Sequence, residues 1–332
     1  MQRGRYLATF AAVSTLIAAW GAAETTVSAA EYEPKLAYVA QTTNPFHTAM
    51  EFFRNKVLEK TDGAMDVKLF HSQQLGGERD YAEGLQLGTL EMAGISTAPL
   101  AAFEPSVGLF SLPFLFRSPE HMDKVLDGPI GDEIAAKFPP KGIRILGYLD
   151  LGGRYIHNSQ RIVRTPEDMQ GIKFRVMEDP IHLETYRALG ARAVPMARPE
   201  VYSALKQGVL DGLDNALAFY ESMGDYEVAK YLTVGMQIRQ TPGVLMISEA
   251  YYQSLPEDIR IAVVEAAEET VPYQREVFRA ADDETLERLK SKGVVTGEAD
   301  PEPFEEAGRA VWETFADQVG GMEMIERVVA TE

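Results

Sequence analysis

The sequence predicts an α/β protein, because segments with strand and helix patterns alternate along most of its 332 residues. The runs LAYVAQ at 36–41 and LEMAGIS at 90–96 have the apolar character of buried strands. Each is adjacent to a segment whose apolar residues recur at helical spacing. Such alternation is typical of mostly parallel sheets. A second alternating block begins at Gly152, and the chain is long enough for one large domain or two medium ones.

The first block is predicted to contain four strands and several helices. The strands fall at 36–41, 65–70, 90–96 and 143–151, and the helices at 47–61, 78–88, 119–126 and 130–137. Between Thr97 and Phe116 the chain is apolar but is interrupted by Pro99, Pro105 and Pro113. Because proline breaks a helix interior, we expect short helices and loops there.

The second block runs to about Gln240. Its strands are predicted near Tyr155 and at 172–176, 191–195, 231–239 and 243–248, and its helices at 181–189 and 199–207. From Pro256 to about Lys292 the pattern is that of one long helix. At 1.5 Å per residue it would be about 50 Å long, enough to span and brace two domains. A strand near Val294 and helices at 303–318 and 322–329 complete the prediction.

Residues 1–30 have the features of a secretory signal peptide. Arg3 and Arg5 precede a mostly apolar run at 7–19, and Ser28-Ala29-Ala30 supplies small residues for cleavage near Ala30. The alternative is a membrane anchor, but the apolar run is short for crossing a bilayer. We therefore expect a soluble mature chain in the periplasm.

The composition excludes several classes of protein. A formal net charge of -18 argues against nucleic acid and anionic membranes as partners. The absence of cysteine excludes disulfides, thiolate metal sites and cysteine nucleophiles. The five histidines show no metal-ligand spacing, and GxSxG, P-loop, GxGxxG and HExxH motifs are absent. We expect no metal, no cofactor and no catalytic residue, and thus not an enzyme.

Arg175 is the strongest candidate for a binding residue. In the strand at 172–176, the period of two places Arg175 and Lys173 on the face opposite Phe174. One interpretation is a solvated face with a surface ion pair. The other is a guanidinium held at a strand end, where its planar fork binds a carboxylate with two hydrogen bonds.

Three further polar residues lie near strand ends of the same block. Arg154 follows Gly152 and Gly153, which allow close approach of a ligand, although an exposed loop arginine is the ordinary alternative. Asn215 follows an Asp-Gly turn and is either a turn former or a ligand contact. Asp214 is able to accept from Arg175, accept from a substrate hydroxyl, or cap the next helix.

The remaining candidates have weaker signals. Strand-to-helix junctions are where α/β folds place ligands, and Asn44 and His47 lie at one, although Asn before Pro is also an ordinary helix entry. Glu78 is either a hydroxyl acceptor or a favourable first-turn acid of its helix. Ser96 ends the third strand, and Phe219 is able to form a pocket wall or to pack in the core.

The motifs resemble those of the solute-binding subunits of tripartite ATP-independent periplasmic (TRAP) transporters, of the dicarboxylate-binding (DctP) type. The resemblance covers essentially the whole mature chain. It is carried by QLGG at 74–77, LFSLPFLF from Leu109, TPEDMQGIKFRV at 165–176, VPMARPEVYSALKQGVLDGLDN at 194–215 and YEVAKY from Tyr226. In that family, the arginine of the KFRV-like segment pairs with the ligand carboxylate, which implies this role for Arg175. The family's second arginine and its asparagine match Arg154 and Asn215.

The resemblance implies a two-domain periplasmic binding protein fold of class α/β, with mixed sheets and a long helix spanning both domains. It implies a domain I of residues 31–151 and 241–281, and a domain II of residues 152–240 and 282–332 with the domain-spanning and C-terminal helices. The ligand would be enclosed between them and presented to TRAP membrane permease subunits. A monomer is the default expectation.

The expected ligand is a small organic acid. Ser96 stands where sialic-acid binders carry Glu, and Ala216 follows Asn215 where many relatives have proline, so sialic acid is disfavoured. A polar set suits a polyhydroxylated acid, either a hexuronate or an aldonate. The set comprises Glu78, Asp214, Asn44, His47 and Asn158. C4-dicarboxylates, hydroxy acids, keto acids and other carboxylates remain open, as does an exported enzyme acting on sugar acids.

Overall fold

Two mixed β-sheets organise residues 30–332, the part of the chain that the computed structural model describes. The predicted signal peptide lies almost wholly outside these residues. The strands are β1 Lys35–Tyr38, β2 Lys68–Phe70, β3 Met92–Ser96, β4 Ile143–Gly153, β5 Tyr155–Asn158, β6 Lys173–Val176, β7 Arg192–Pro195, β8 Gly212–Asn215, β9 Tyr231–Val234, β10 Gln240–Ser248 and β11 Val295–Glu298.

Twelve α-helices flank the two sheets in the described residues. They are α1 Pro45–Lys60, α2 Glu78–Leu87, α3 Pro119–Leu126, α4 Pro129–Ala135, α5 Pro180–Ala188, α6 Arg198–Lys206, α7 Leu217–Ser222, α8 Glu249–Ser254, α9 Glu257–Arg279, α10 Asp282–Ser291, α11 Pro301–Phe315 and α12 Met322–Val329. The proline-broken region forms two short 3-10 helices, Ala98–Ala102 and Pro105–Ser111, as predicted. In the described range, no helix is long and apolar enough to cross a membrane.

The first sheet has the order β2-β1-β3-β10-β4 and defines lobe I. Strands β1, β2 and β3 are parallel, whereas β10 is antiparallel to both β3 and β4. All five residues of β3 and all nine of β10 are buried, which explains their continuous apolar runs. The expectation of a mostly parallel sheet is wrong here, because the long strand β10 returns from the second block to complete the sheet.

The second sheet has the order β11-β9-β5-β8-β6-β7 and defines lobe II. Strands β6, β7 and β8 are parallel, and β5 runs antiparallel to β8 and β9. Strand β9 ends at Val234, shorter than the predicted strand at 231–239, because Gly235 has a φ of 85° and turns the chain out of the sheet. The segment after it leads back to lobe I.

Two chain crossings between the lobes lie side by side. One joins β4 to β5 at Arg154, and the other joins β9 to β10 through Ile238 and Arg239. The Arg154 N–H donates to the Arg239 carbonyl at 2.9 Å, and the Ile238 N–H donates to the Arg154 carbonyl at 3.1 Å. These two hydrogen bonds tie the crossings into one short ribbon.

The long helix predicted over 256–292 is two helices, α9 and α10, separated at Ala280 and Ala281. At the break, the Ala281 N–H reaches the Phe278 carbonyl, three residues back, at 3.4 Å instead of continuing the α-helical pattern. Phe278 packs in the core of lobe I, and Leu289 packs in a cluster of lobe II. Together the helices span both lobes, and the break lets each present its apolar side to a different core.

The C-terminal helices also contact lobe I. The Trp312 indole N–H of α11 donates to the Pro113 carbonyl at 2.9 Å, and His121 Nε2 lies 2.9 Å from the Val328 carbonyl of α12. Ile325 and Val328 are part of the same buried cluster as residues of β1 and β3. The packing of α12 therefore departs from the predicted assignment of residues 282–332 to domain II, because its apolar face completes the core of lobe I. The other domain boundaries remain a prediction.

Candidate functional site

A cavity lies between the lobes, beside the crossing at Arg154. Five of its ten lining residues are polar and five are apolar. The polar lining residues are Glu78, Arg154, Arg175, Arg198 and Asn215, and the apolar ones are Val39, Leu151, Met177, Phe219 and Met223. Five of the ten residues proposed from the sequence thus line one cavity, with contributions from both sheets.

Arg175 occupies the third position of β6, and its side chain is buried. Its Nε donates to the Met196 carbonyl at 2.9 Å, which fixes the plane of the guanidinium. Among the described residues, neither terminal nitrogen has a hydrogen-bond partner. Burial, together with the positive charges of Arg198 and Arg154, lowers the pKa of Arg175 to about 9. The side chain is charged at neutral pH, and an anion placed beside it would offset the cost of its burial.

Arg154 and Asn215 form a hydrogen-bonded pair in the cavity wall. Arg154 Nη1 donates to Asn215 Oδ1 at 3.0 Å, and Nη2 donates to the Asp214 carbonyl at 2.6 Å and to Asp214 Oδ1 at 3.0 Å. Asn215 Oδ1 also accepts from the Ala216 N–H at 3.1 Å. The oxygen of this amide is therefore occupied, and its Nδ2 is left to face a ligand.

Asp214 does not line the cavity but fixes the position of Arg154, which does. Its Oδ2 accepts from Arg239 Nη2 at 2.6 Å and from the Tyr186 hydroxyl at 2.8 Å, while Oδ1 accepts from Arg154. Burial raises the pKa of this carboxyl, but the Arg154 and Arg239 guanidinium groups outweigh it and leave the pKa well below its usual range. Of the three alternatives for Asp214, neither a bond to Arg175 nor a helix cap is formed, and both oxygens are used within the protein.

Arg198 lines the cavity and was not singled out from the sequence. Its Nη2 donates to both oxygens of Asp225, at 2.7 and 2.9 Å, and the Asp225 side chain is fully buried. Its Nη1 is buried and has no partner within the described part of the chain. One signal was present in the sequence: Arg198 is the first residue of α6, where the helix dipole disfavours a positive charge.

Glu78 lines the cavity from lobe I at the first position of α2. Its Oε1 accepts from the Ser96 N–H at 2.9 Å and its Oε2 accepts from the Ser96 hydroxyl at 2.7 Å. Ser96 is fully buried and does not line the cavity. Its role in the structure is to fix the Glu78 carboxylate.

Three of the proposed residues lie outside the cavity wall and bond elsewhere. Asn44 caps α1 through the Phe46 N–H at 2.9 Å and donates across the lobes to the Ser222 hydroxyl at 3.0 Å. His47 Nδ1 lies 2.6 Å from the Tyr38 hydroxyl. Both ends of the Asn158 amide are used in the turn after β5: Oδ1 accepts from the N–H groups of Gln160 and Arg161, and Nδ2 donates to the Arg161 carbonyl.

The arginines around the cavity differ in their ionic partners. Arg154 and Arg239 share the Asp214 carboxylate, and Arg198 is paired with Asp225. Arg175 is the arginine of this set whose terminal nitrogens have no partner in the described structure. A buried cation of this kind binds an anion, and its two parallel N–H groups match a carboxylate.

The fold and the site define a class of protein. Two lobes of mixed sheet, joined by crossings and enclosing a cationic cavity, are the architecture of a binding protein for small anionic solutes. Residues 36–318 match the family described as bacterial extracellular solute-binding protein, family 7 (DctP). The chain belongs to this family.

Known relatives support the assignment. The chain is 30% identical over 300 residues to the 2,3-diketo-L-gulonate-binding periplasmic protein YiaO of Escherichia coli, covering 90% of this chain and 91% of that protein. The crystal structure of the sugar acid binding protein DctPAm from Advenella mimigardefordensis, in complex with galactonate, matches with a TM-score of 0.87 and 32% identity, covering 90% of this chain and 97% of that one. A TRAP periplasmic solute-binding protein from Roseobacter denitrificans with bound β-D-glucuronate matches with a TM-score of 0.84 and 32% identity, covering 90% and 100%.

These similarities confirm the expected family, fold class and general activity. Proteins of this family and fold bind substrates for transporters and are not enzymes. The names of the family and of its relatives indicate an extracytoplasmic, periplasmic location.

Proposed function

We propose that this protein is the solute-binding subunit of a TRAP transporter and that it binds one sugar acid, a hexuronate or an aldonate, in the cavity between its lobes. The observation that carries the proposal is Arg175: a buried guanidinium in the cavity wall whose two terminal nitrogens are unpaired in the described structure. Relatives that bind galactonate and glucuronate support the ligand class.

In this proposal the ligand carboxylate lies against the guanidinium fork of Arg175. Each charge-assisted hydrogen bond contributes about 1.5–3 kcal/mol when water is excluded. Asn215 and Arg154 bind the ligand from the same lobe, and Glu78 accepts from a hydroxyl across the cavity. Contacts from both lobes make the closed arrangement the one that the ligand favours.

The remaining parts of the proposal concern assembly and export. The leader is cleaved near Ala30, the mature chain acts as a monomer, and the ligand-bound form docks on the membrane permease subunits. The two lobes move relative to each other about the ribbon formed at Arg154 and Arg239, which holds two of the chain crossings together.

The test is a thermal-shift screen of the mature chain, refolded from denaturant to remove any ligand carried from expression. Hexuronates, aldonates, short dicarboxylates and neutral sugars are compared, because a ligand that binds only the folded state raises the melting temperature. The proposal expects stabilisation by sugar acids, confirmed by calorimetry, and no turnover of the bound acid on prolonged incubation. Stabilisation by neutral sugars alone, or chemical conversion of the acid, would refute it.

A further inference from the structure

Two helices from different lobes meet beside the cavity, each at its first residues. Gly77 precedes α2 of lobe I, and a Cβ placed on it would lie 3.6 Å from Pro199 Cδ and 3.7 Å from Ala197 Cβ, at the start of α6 of lobe II. These are ordinary van der Waals distances, so the two lobes are in contact at this point. Glu78 follows Gly77, Arg198 lies between Ala197 and Pro199, and both line the cavity.

Arg198 has one unused nitrogen, and its side chain is only 9% exposed. Its Nε donates to the Met223 sulfur at 2.7 Å, and its Nη2 donates to both oxygens of Asp225. Its Nη1 is buried and has no partner among the described residues. A guanidinium carries no acceptor, so Nη1 requires an acceptor from a ligand. Because Asp225 already balances the charge, and one nitrogen does not form the two-bond fork, a neutral oxygen suits Nη1 better than a carboxylate.

Glu78 supplies the complementary acceptor from lobe I. Each of its carboxylate oxygens accepts one hydrogen bond from Ser96, and each is able to accept a second. Besides burial, the charge of Arg198 lowers the pKa of Arg175 and the charge of Glu78 raises it, so both lie within electrostatic reach of the same guanidinium. A hydroxyl group between Arg198 and Glu78 would accept from the first and donate to the second.

We propose that Arg198 is a specificity-determining residue of the site: its Nη1 donates to one hydroxyl of the sugar acid, and this hydroxyl donates in turn to Glu78 of the opposite lobe. The inference rests on the function proposed above, in which Arg175 binds the ligand carboxylate. A sugar acid that lacks this hydroxyl, or carries it in the opposite configuration, leaves a buried donor and a charged acceptor without partners. Because the two partners belong to different lobes, the same hydroxyl also favours the closed arrangement.

The test removes the hydroxyls of the ligand one at a time. The probes are whichever of D-glucuronate, D-galacturonate, D-gluconate and D-galactonate binds the mature protein most tightly, and analogues of that acid that each lack one hydroxyl. Calorimetry gives the affinity for each probe. We expect the analogue that lacks the hydroxyl between Arg198 and Glu78 to bind about ten- to a hundredfold more weakly than the intact acid, because two buried groups lose their partner.

A paired substitution tests Arg198 without leaving Asp225 as a lone buried charge. In the Arg198→Met/Asp225→Asn variant, the intact acid should bind more weakly, and removal of that same hydroxyl should now cost less than about threefold. Glu78→Gln, which removes the charge of the acceptor, should also lower the cost of removing this hydroxyl. Arg187→Met, at an exposed arginine of α5 with 57% of its side chain accessible, is the matched control and should leave every cost as in the parent.

The proposal is overturned if removal of each hydroxyl costs as much in the double variant as in the parent, because Arg198 then contacts no ligand hydroxyl. If circular dichroism shows that the double variant does not fold, Arg198→Lys takes its place. It keeps a cation beside Asp225 but lacks the second terminal nitrogen, and unchanged costs in this variant overturn the proposal equally. If no hexuronate or aldonate binds the parent, the function proposed above is itself wrong, whereas binding with unchanged costs leaves that function intact and removes only the role of Arg198.

Discussion

Arg154 and Arg239 lie on the two neighbouring crossings between the lobes, and their guanidinium groups donate to opposite oxygens of one buried carboxylate, that of Asp214. Their backbones are hydrogen-bonded to each other at 2.9 Å. Asp214 belongs to β8 of lobe II and precedes Asn215 of the cavity wall. The connection between the lobes and the position of the binding residues are therefore set by the same ion pairs.

We expect Asp214→Asn to lower the free energy of unfolding by about 3–5 kcal/mol, because it leaves two buried guanidinium groups without their shared counter-charge. Urea unfolding followed by circular dichroism measures the change. Asp317→Asn, at an exposed position of the same charge type, should stay within about 0.5 kcal/mol of the parent. If Asp214→Asn also changes the free energy of unfolding by no more than about 0.5 kcal/mol, these ion pairs do not stabilise the connection between the lobes.

Substitution of Arg175 should separate binding from stability. Arg175→Met is expected to weaken sugar-acid binding by at least about a hundredfold, since two charge-assisted hydrogen bonds are lost. The ligand-free variant should be as stable as the parent or more stable, because the buried guanidinium has no anionic partner at its terminal nitrogens in the described structure. Calorimetry and thermal unfolding are the two measurements.

The control for Arg175 is Arg192→Met on the adjacent strand β7, where the arginine is exposed. It should leave both affinity and stability nearly unchanged. If Arg175→Met retains affinity within a factor of a few, the carboxylate lies elsewhere in the cavity.

Gly152 is expected to be intolerant of a side chain. Its φ is 81°, and an added Cβ would lie 2.9 Å from the Phe278 ring and 3.0 Å from the Ala216 Cβ, next to the cavity residue Asn215. Gly171 has a similar φ of 83° but open space around it. Gly171→Ala should therefore lower the free energy of unfolding by about 1–3 kcal/mol through backbone strain alone. Gly152→Ala should lower it by about 1–3 kcal/mol more, because the added Cβ is also overpacked. Equal costs for the two substitutions would contradict this account.

His157 should make the protein less stable in mild acid. Burial lowers the pKa of His157 to about 4, against an ordinary value of 6.5. Below pH 6.5, His157 becomes protonated in the unfolded chain but stays neutral in the folded chain. The free energy of unfolding therefore falls as the pH decreases from 6.5 towards 4. At pH 5 this amounts to about 2 kcal/mol relative to pH 7.5.

Urea midpoints at pH 7.5 and pH 5 test this expectation in the parent and in His157→Gln. The variant should lose the share of the pH dependence that His157 contributes, about 2 kcal/mol, while the buried His182, whose pKa also lies well below its ordinary value, keeps its own share. A lower stability of the variant at both pH values is compatible with this result, because the 4.1 Å ring contact with Tyr220 is lost. An unchanged difference between the two pH values would assign the acid sensitivity to other groups.

The sequence predicted the buried strands and most helices because their apolar periodicity is a local property. Met92–Ser96 and Pro119–Leu126 are examples in which the observed bounds nearly coincide with the predicted ones. The break at Ala280 could not be predicted, because neither glycine nor proline marks it and the apolar spacing continues across it. Its cause is tertiary: the two helices face different cores.

In the candidate site, too, some residues could be predicted from the local sequence, whereas others depend on tertiary contacts. Arg175 has a local signal, a charged residue within an apolar strand. Arg239 has none, since its partner Asp214 is 25 residues away and its burial depends on the meeting of two crossings. Asp214 was predicted to be near the ligand, but its carboxylate is used to hold Arg154 and Arg239.

The docking of α12 on lobe I has a consequence for how the chain folds. Ile325 and Val328 complete a core that also contains Ala37, so the first strand and the last helix depend on each other. This core is unable to close before α12 packs against the elements of lobe I that come early in the chain. Contacts between such distant parts of a sequence form slowly. We therefore expect lobe I to reach its final packing only when α12 docks, as the late and slow step of folding.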